Sequence, residues 1–322
     1  MATYSFQDSV TVRTPLSGVC GWCEAARPGG RGRGAKLKKC GGCSVVLYCS
    51  TKCQTEAWPT HKHMCRSRSK EEAARLGYTS AVSVARTLHT WVAMHAWSLR
   101  TIAEAFAHTD GGVDHHLKNQ RAIVFVLFPR KPDGASDSDN PAGAFVLGHA
   151  GIADKDERDF LRVQWPVLEA TGKNMAEAMR AKLTAAERRA FAGFIPAAFH
   201  FKETGIVAFY HYPLYRLRAH GCGPSFEHSL TREEDMLLDD VGQLCGALIN
   251  RGFVLHARRN DNQALPEAGL CVEYKKSWAW VPSDPWKWET LGVDAQSQYK
   301  SGLSPAEIYK EYHKLLARRN FQ

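Results

Sequence analysis

Seven cysteines and one histidine, all between residues 20 and 65, carry the clearest chemistry in the chain. Cys20 and Cys23 form a C-x2-C pair, and Cys40 and Cys43 form another. Cys49 and Cys53 follow with three residues between them, as do His61 and Cys65. Eight such donors suit two tetrahedral zinc sites. A C-x2-C turn brings two thiolates to one ion while backbone amides share their charge. A three-residue gap places two donors at i and i+4, on one face of a helical turn. Disulfides are the competing use of clustered cysteines. Nothing at the N-terminus resembles a secretory signal, and a reducing compartment favours metal over disulfide. The expectation is an intracellular protein, in nucleus or cytoplasm and not secreted, that holds two Zn2+ ions.

The residues around the donors read Cys40-Gly-Gly-Cys43, Tyr48-Cys49-Ser50, Cys53-Gln54, Trp58 and His61-Lys62-His63-Met64-Cys65. With these signatures the segment resembles a MYND-type zinc finger, over about 46 of the 322 residues. The resemblance implies a cross-braced fold, an irregular hairpin with short helices, and two interleaved sites. Cys20, Cys23, Cys49 and Cys53 would hold the first zinc. Cys40, Cys43, His61 and Cys65 would hold the second. His63 competes with His61, but only one residue separates it from Cys65, which favours His61. The sixteen residues between Cys23 and Cys40 are more than the family usually has.

The elements that must position these donors are sparse. A finger this short cannot bury a stable core, so zinc supplies its folding energy, roughly 10–16 kcal/mol of apparent binding energy. Residues 1–19 form a short lead, 20–65 the finger, 66–75 a charged hinge, and 76–322 a mixed α+β domain. That domain has a loose similarity to companion regions of fungal MYND-finger proteins, which implies no mechanism. No apolar run approaches the ~20 residues of a membrane span, so no membrane association is expected.

The formal charge is +9, and residues 1–75 hold +8 of it. Seven thiolates and two Zn2+ ions would lower that region to about +5. Six of that region's thirteen cations lie between the first two cysteine pairs. Residues 24–39 contain four glycines and six cations, a flexible, positively charged loop. Its glycines nearly echo a phosphate-cradling loop. Ala35-Lys36-Leu37 lacks the Gly-Lys-Ser/Thr ending, however, and no strand precedes it.

Beyond the hinge, Val84, Leu88, Trp91, His95, Leu99, Ile102 and Phe106 recur at helical spacing, predicting one long helix over 71–108, broken near Gly77. His95 on that stripe reads as a buried, hydrogen-bonded histidine. Residues 110–116 read as a loop. Ala122–Phe128 and 144–149 read as strands that pair across a polar connection. A helix over 155–172 should break at Pro166. Met175, Met179, Leu183, Ala186, Ala190 and Phe194 predict another. Strands are expected at 206–214, 253–257 and 270–281. Thr231 and Glu234 form a capping box for a helix that Gly252 stops, and Ser304-Pro305 opens a last helix. Trp278 and Trp280 share a strand face and are expected to pack, with Trp286, Trp288 and Tyr274 nearby, against that last helix. Cys222, Cys245 and Cys271 have no metal spacing.

Three functions follow. The resemblance implies an interaction module taking short proline-rich peptides of the P-x-L-x-P type, through groove residues Gln54 and Trp58 with Ser50 beside them. An exposed strand edge and an indole suit an extended peptide. Packing inside the finger is the alternative use of Trp58. Nucleic-acid binding through residues 27–39 is the second reading, weakened because no aromatic residue interrupts the cations. The third is a protein-lysine methyltransferase, since MYND fingers also occur inserted into SET domains. No SET segment precedes Cys20 and no Asn-His-x-Cys segment follows the finger, so no enzyme is expected.

Overall fold

Reciprocal caps decide where several helices begin. Thr184 and Glu187, Thr231 and Glu234, and Ser304 and Glu307 each exchange side-chain and backbone hydrogen bonds across three residues. The structure, a computed structural model, describes residues 20, 22–23, 37–41, 46–65, 78, 81–130, 140–202, 207–217, 230–256, 266–274, 277–283 and 299–317. The lead, the hinge, Cys43, Gly77, Cys222, Trp286, Trp288 and most of the basic loop lie outside them, as do the side chains of His63, Cys65 and Tyr274.

The finger contributes β1 (Lys38–Lys39), β2 (Leu47–Tyr48) and α1 (Thr51–Cys65). A mixed helix and sheet region follows. Its helices are α2 (Ala81–Met94), α3 (Ala96–Thr109), α4 (Val113–Lys118), α5 (Asp159–Arg180), α6 (Ala185–Ala190), α7 (Arg232–Asn250) and α8 (Pro305–Ala317). Strands β3 (Arg121–Pro129), β4 (Phe145–Asp154), β5 (Phe191–Phe201) and β6 (Val207–Tyr215) make one sheet, in the order β4-β3-β5-β6. β3 and β5 run parallel, and the outer pairs are antiparallel. A second sheet, β7-β8-β9, consists of Val254–His256, Glu267–Tyr274 and Ser277–Pro282.

Both faces of the larger sheet are covered. Ile123, Phe125 and Leu127 of β3, with Phe199 of β5 and Tyr212 of β6, join one core with α2, α3, α7 and α8. Ala122, Val124 and Ala198 point the other way, onto Leu161, Trp165 and Leu168 of α5. Successive strand residues therefore enter two different cores, as the two-residue period requires.

Several expectations are corrected. The single long helix is two, α2 and α3, separated at His95. The buried His95 Nε2 donates to the Ala142 carbonyl at 2.8 Å, which ties the break to the turn before β4. Residues 113–118 form α4 where a loop was expected. α5 runs unbroken through Pro166, because Trp165 and Leu168 on either side of it are clamped on the sheet. The helix expected through Phe194 ends at Ala190, and Phe194 belongs to β5. Pro196 is tolerated there because pairing with β3 begins at Ala197, so no β3 ladder is interrupted. Residues 270–281 belong to two strands, β8 and β9, that pair antiparallel.

Trp278 and Trp280 do point together, but onto Met94, Ala142, Val254 and Cys271 and not onto the last helix. Cys245 is core, its thiol 3.4 Å from the Tyr309 hydroxyl, and burial pushes it up to about 12. Among the described residues, no helix is long and apolar enough to cross a membrane.

Candidate metal centre

Local structure brings the donors together in three steps. Cys40 N–H donates to the Val46 carbonyl at 2.8 Å and extends the pairing of β1 with β2. Lys38 then pairs with Tyr48, and Lys39 with Leu47. Ser50 Oγ accepts from Cys53 N–H at 3.2 Å, the bond of a helix N-cap, and so starts α1 directly after Cys49. α1 then continues as one helix through Pro59 to Cys65.

Cys20, Cys23, Cys49 and Cys53 converge, their Sγ atoms all lying within 4.8 Å of one another. The Cys23–Cys49 and Cys49–Cys53 sulfurs are 3.5 Å apart. A tetrahedron of sulfurs about 2.3 Å from zinc has edges of about 3.8 Å, whereas a disulfide needs about 2.05 Å. The four thiols therefore fit one zinc ion and no disulfide. Cys20 is buried and Cys23 is exposed, so the cluster sits at the finger's surface.

The thiols do not behave alike. Burial raises Cys20, but hydrogen bonds from the backbone of Cys49, Cys23 and Trp22 outweigh it and bring the thiol to about 6. Contacts with the Cys53 and Cys23 thiols push Cys49 up to about 12. Four thiols at van der Waals distance cannot all ionise alone; a dication reverses that logic.

A second pair of donors meets against α1. His61 Nε2 lies 3.3 Å from Cys40 Sγ, and both residues are buried. Burial lowers the His61 pKa and keeps the imidazole neutral, the form a metal takes. The rings of Tyr48 and Trp58 meet His61 edge-on, at 5.9 and 6.0 Å.

The three groove candidates are placed differently. Trp58 is 39% exposed, so it is not sealed within the finger. Gln54 is half-buried, and its Nε2 donates towards Cys40 Sγ at 3.8 Å. Ser50 is occupied as the cap of α1, with the Cys49 thiol 4.0 Å away.

Residues 20–65 match the family model of the MYND finger. The segment is a MYND-type zinc finger. It is 54% identical over 33 residues to a SET and MYND domain-containing protein of Dictyostelium discoideum, covering 10% of this chain and 6% of that one. It is 55% identical over 31 residues to the histone-lysine N-methyltransferase SMYD3 of Homo sapiens, covering 10% and 7%. The chain thus spans less than a tenth of the length of these curated relatives. No solved structure matches the chain. The MYND finger of this chain adds one residue that the spacing argument passed over. Trp22, between Cys20 and Cys23, is 46% exposed. A large apolar residue inside a C-x2-C turn was the available signal, because such a turn has no room to bury it.

Proposed function

We propose that the MYND finger holds two zinc ions in interleaved sites and serves as a docking module for short proline-rich peptides. The first site is assigned to Cys20, Cys23, Cys49 and Cys53, and the second to Cys40, Cys43, His61 and Cys65. The convergence of the first four thiols and the approach of His61 to Cys40 support this division. Zinc in closed sites of this kind supplies folding energy and no reactive position.

One observation carries the docking role: Trp58 is exposed while its ring edge rests on His61. An indole fixed by a neighbouring ring loses little entropy when proline stacks on it. Gln54 and Ser50 flank the same start of α1 and complete the groove. The likeness to these two relatives covers 10% of this chain, within the finger, so it carries no catalytic residue to this chain. The chain therefore reads as an adaptor or regulatory scaffold.

The test is an affinity pull-down comparing the wild-type chain with Trp58→Ala, after metal analysis of both. The expected result is two zinc ions in each and loss of proline-rich partners from the variant. Retained partners, or zinc lost together with them, would overturn the docking role.

A further inference from the structure

The geometry points to Gln54 as a positioning residue of the metal centre around Cys40 and His61, a role that rests on the second zinc site proposed above and is independent of any peptide groove. An α-helix turns 100° per residue, so residues seven apart lie within about 20° of each other around its axis. Gln54 and His61 are seven apart on α1, and both reach the same sulfur. The Gln54 Nε2 is 3.8 Å from Cys40 Sγ, and the His61 Nε2 is 3.3 Å from it. Between them on that face stands Ala57, buried and small enough to let Cys40 approach the helix.

A thiolate bound to zinc keeps lone pairs and much of its negative charge. A neutral carboxamide N–H relieves that charge without adding a cation or competing for the ion, the usual work of a group just outside a metal's ligands. Gln54 also follows Cys53 directly in the chain. The helix that delivers Cys53 to the four-cysteine cluster therefore delivers a donor to Cys40. Ser50 plays no matching part at Cys40, since its oxygen faces the Cys53 amide.

The experiment loads the full chain with Co2+ in place of zinc and follows its absorption during chelator competition. Four-sulfur and three-sulfur-one-nitrogen centres have distinct cobalt bands, so the two sites are read separately. Gln54→Met keeps the side chain's length and removes the donor. It is expected to release the ion of the imidazole-containing centre about tenfold more readily and leave the four-cysteine centre unchanged. Equal weakening of both centres would mean a general loss of fold and overturn the assignment. So would unchanged release from both, and if peptide binding alone fell, Gln54 would be a groove residue only.

Discussion

The carboxamide of Asn250 pairs with Leu147 as a neighbouring strand would. Leu147 N–H donates to its Oδ1 at 2.7 Å, and its Nδ2 donates to the Leu147 carbonyl at 2.9 Å. β4 is an edge of the larger sheet, and here α7 covers that edge with one side chain. Arg130 in turn donates to the Asn250 carbonyl. Asn250→Ala would leave two backbone groups of Leu147 unpaired. A loss of about 2 kcal/mol is expected in the denaturant midpoint. A variant within a few tenths of wild type would show that water replaces the carboxamide without cost.

Gly269 has no room for a side chain. A Cβ there would lie 2.3 Å from the Val281 carbonyl and 2.5 Å from the Trp280 indole nitrogen. The first neighbour is backbone of the paired strand and cannot move aside. Gly269→Ala should lower the thermal midpoint by several degrees, about 2 kcal/mol for strain of this kind. Because Trp280 stacks on His256 with centroids 4.4 Å apart, the tryptophan emission should shift as well.

Acid should destabilise the protein before its carboxylates titrate. Burial pushes His95 down to about 4, opposed by the Ala142 carbonyl and aided by Arg130. Burial does the same to His116, opposed by Asp110. The unfolded chain takes up these protons near pH 6.5, whereas the folded chain does so near 4. Stability therefore falls as pH drops through that window, by roughly 3 kcal/mol per histidine, and levels off below it. His95→Gln should flatten the slope in denaturant titrations between pH 6.5 and 4. A slope identical to wild type would mean His95 is not held neutral.

Removing zinc should act first on the finger. Cys20, Leu37, Cys40, Tyr48, Cys53 and Ala57 form a small core separate from the main one. A strong chelator is expected to abolish hydrogen-exchange protection of α1 while the β5 amides stay protected. Simultaneous loss at β5 would show that the larger core depends on the metal.

What was legible in the sequence followed local chemistry. Cys20, Cys23, Cys49 and Cys53 were readable because each spacing states a turn or a helical face. The Thr231–Glu234 cap and the Gly252 stop were readable for the same reason, and Gly252 does take a φ of +77°. β5 was not readable. Its residues enter two cores alternately, so nearly all are buried and no polar face marks the strand. The spacing of Phe194 from Ala186 and Ala190, which are helical, then extended the expected helix into the strand. Pro166 suggested a break that packing on the sheet overrides. The approach of Gln54 to Cys40 was not readable either, because fourteen positions separate the two residues.

α1 has one more consequence. It ends the finger and also lies against α5, the helix that covers one face of the larger sheet. The finger is thus not a bead on a string. Exchanging it for another member of the family would replace, along with the donors, the helix flank that rests on α5. A working chimera would need the α1 surface redrawn from this chain, residue by residue, around borrowed cysteines.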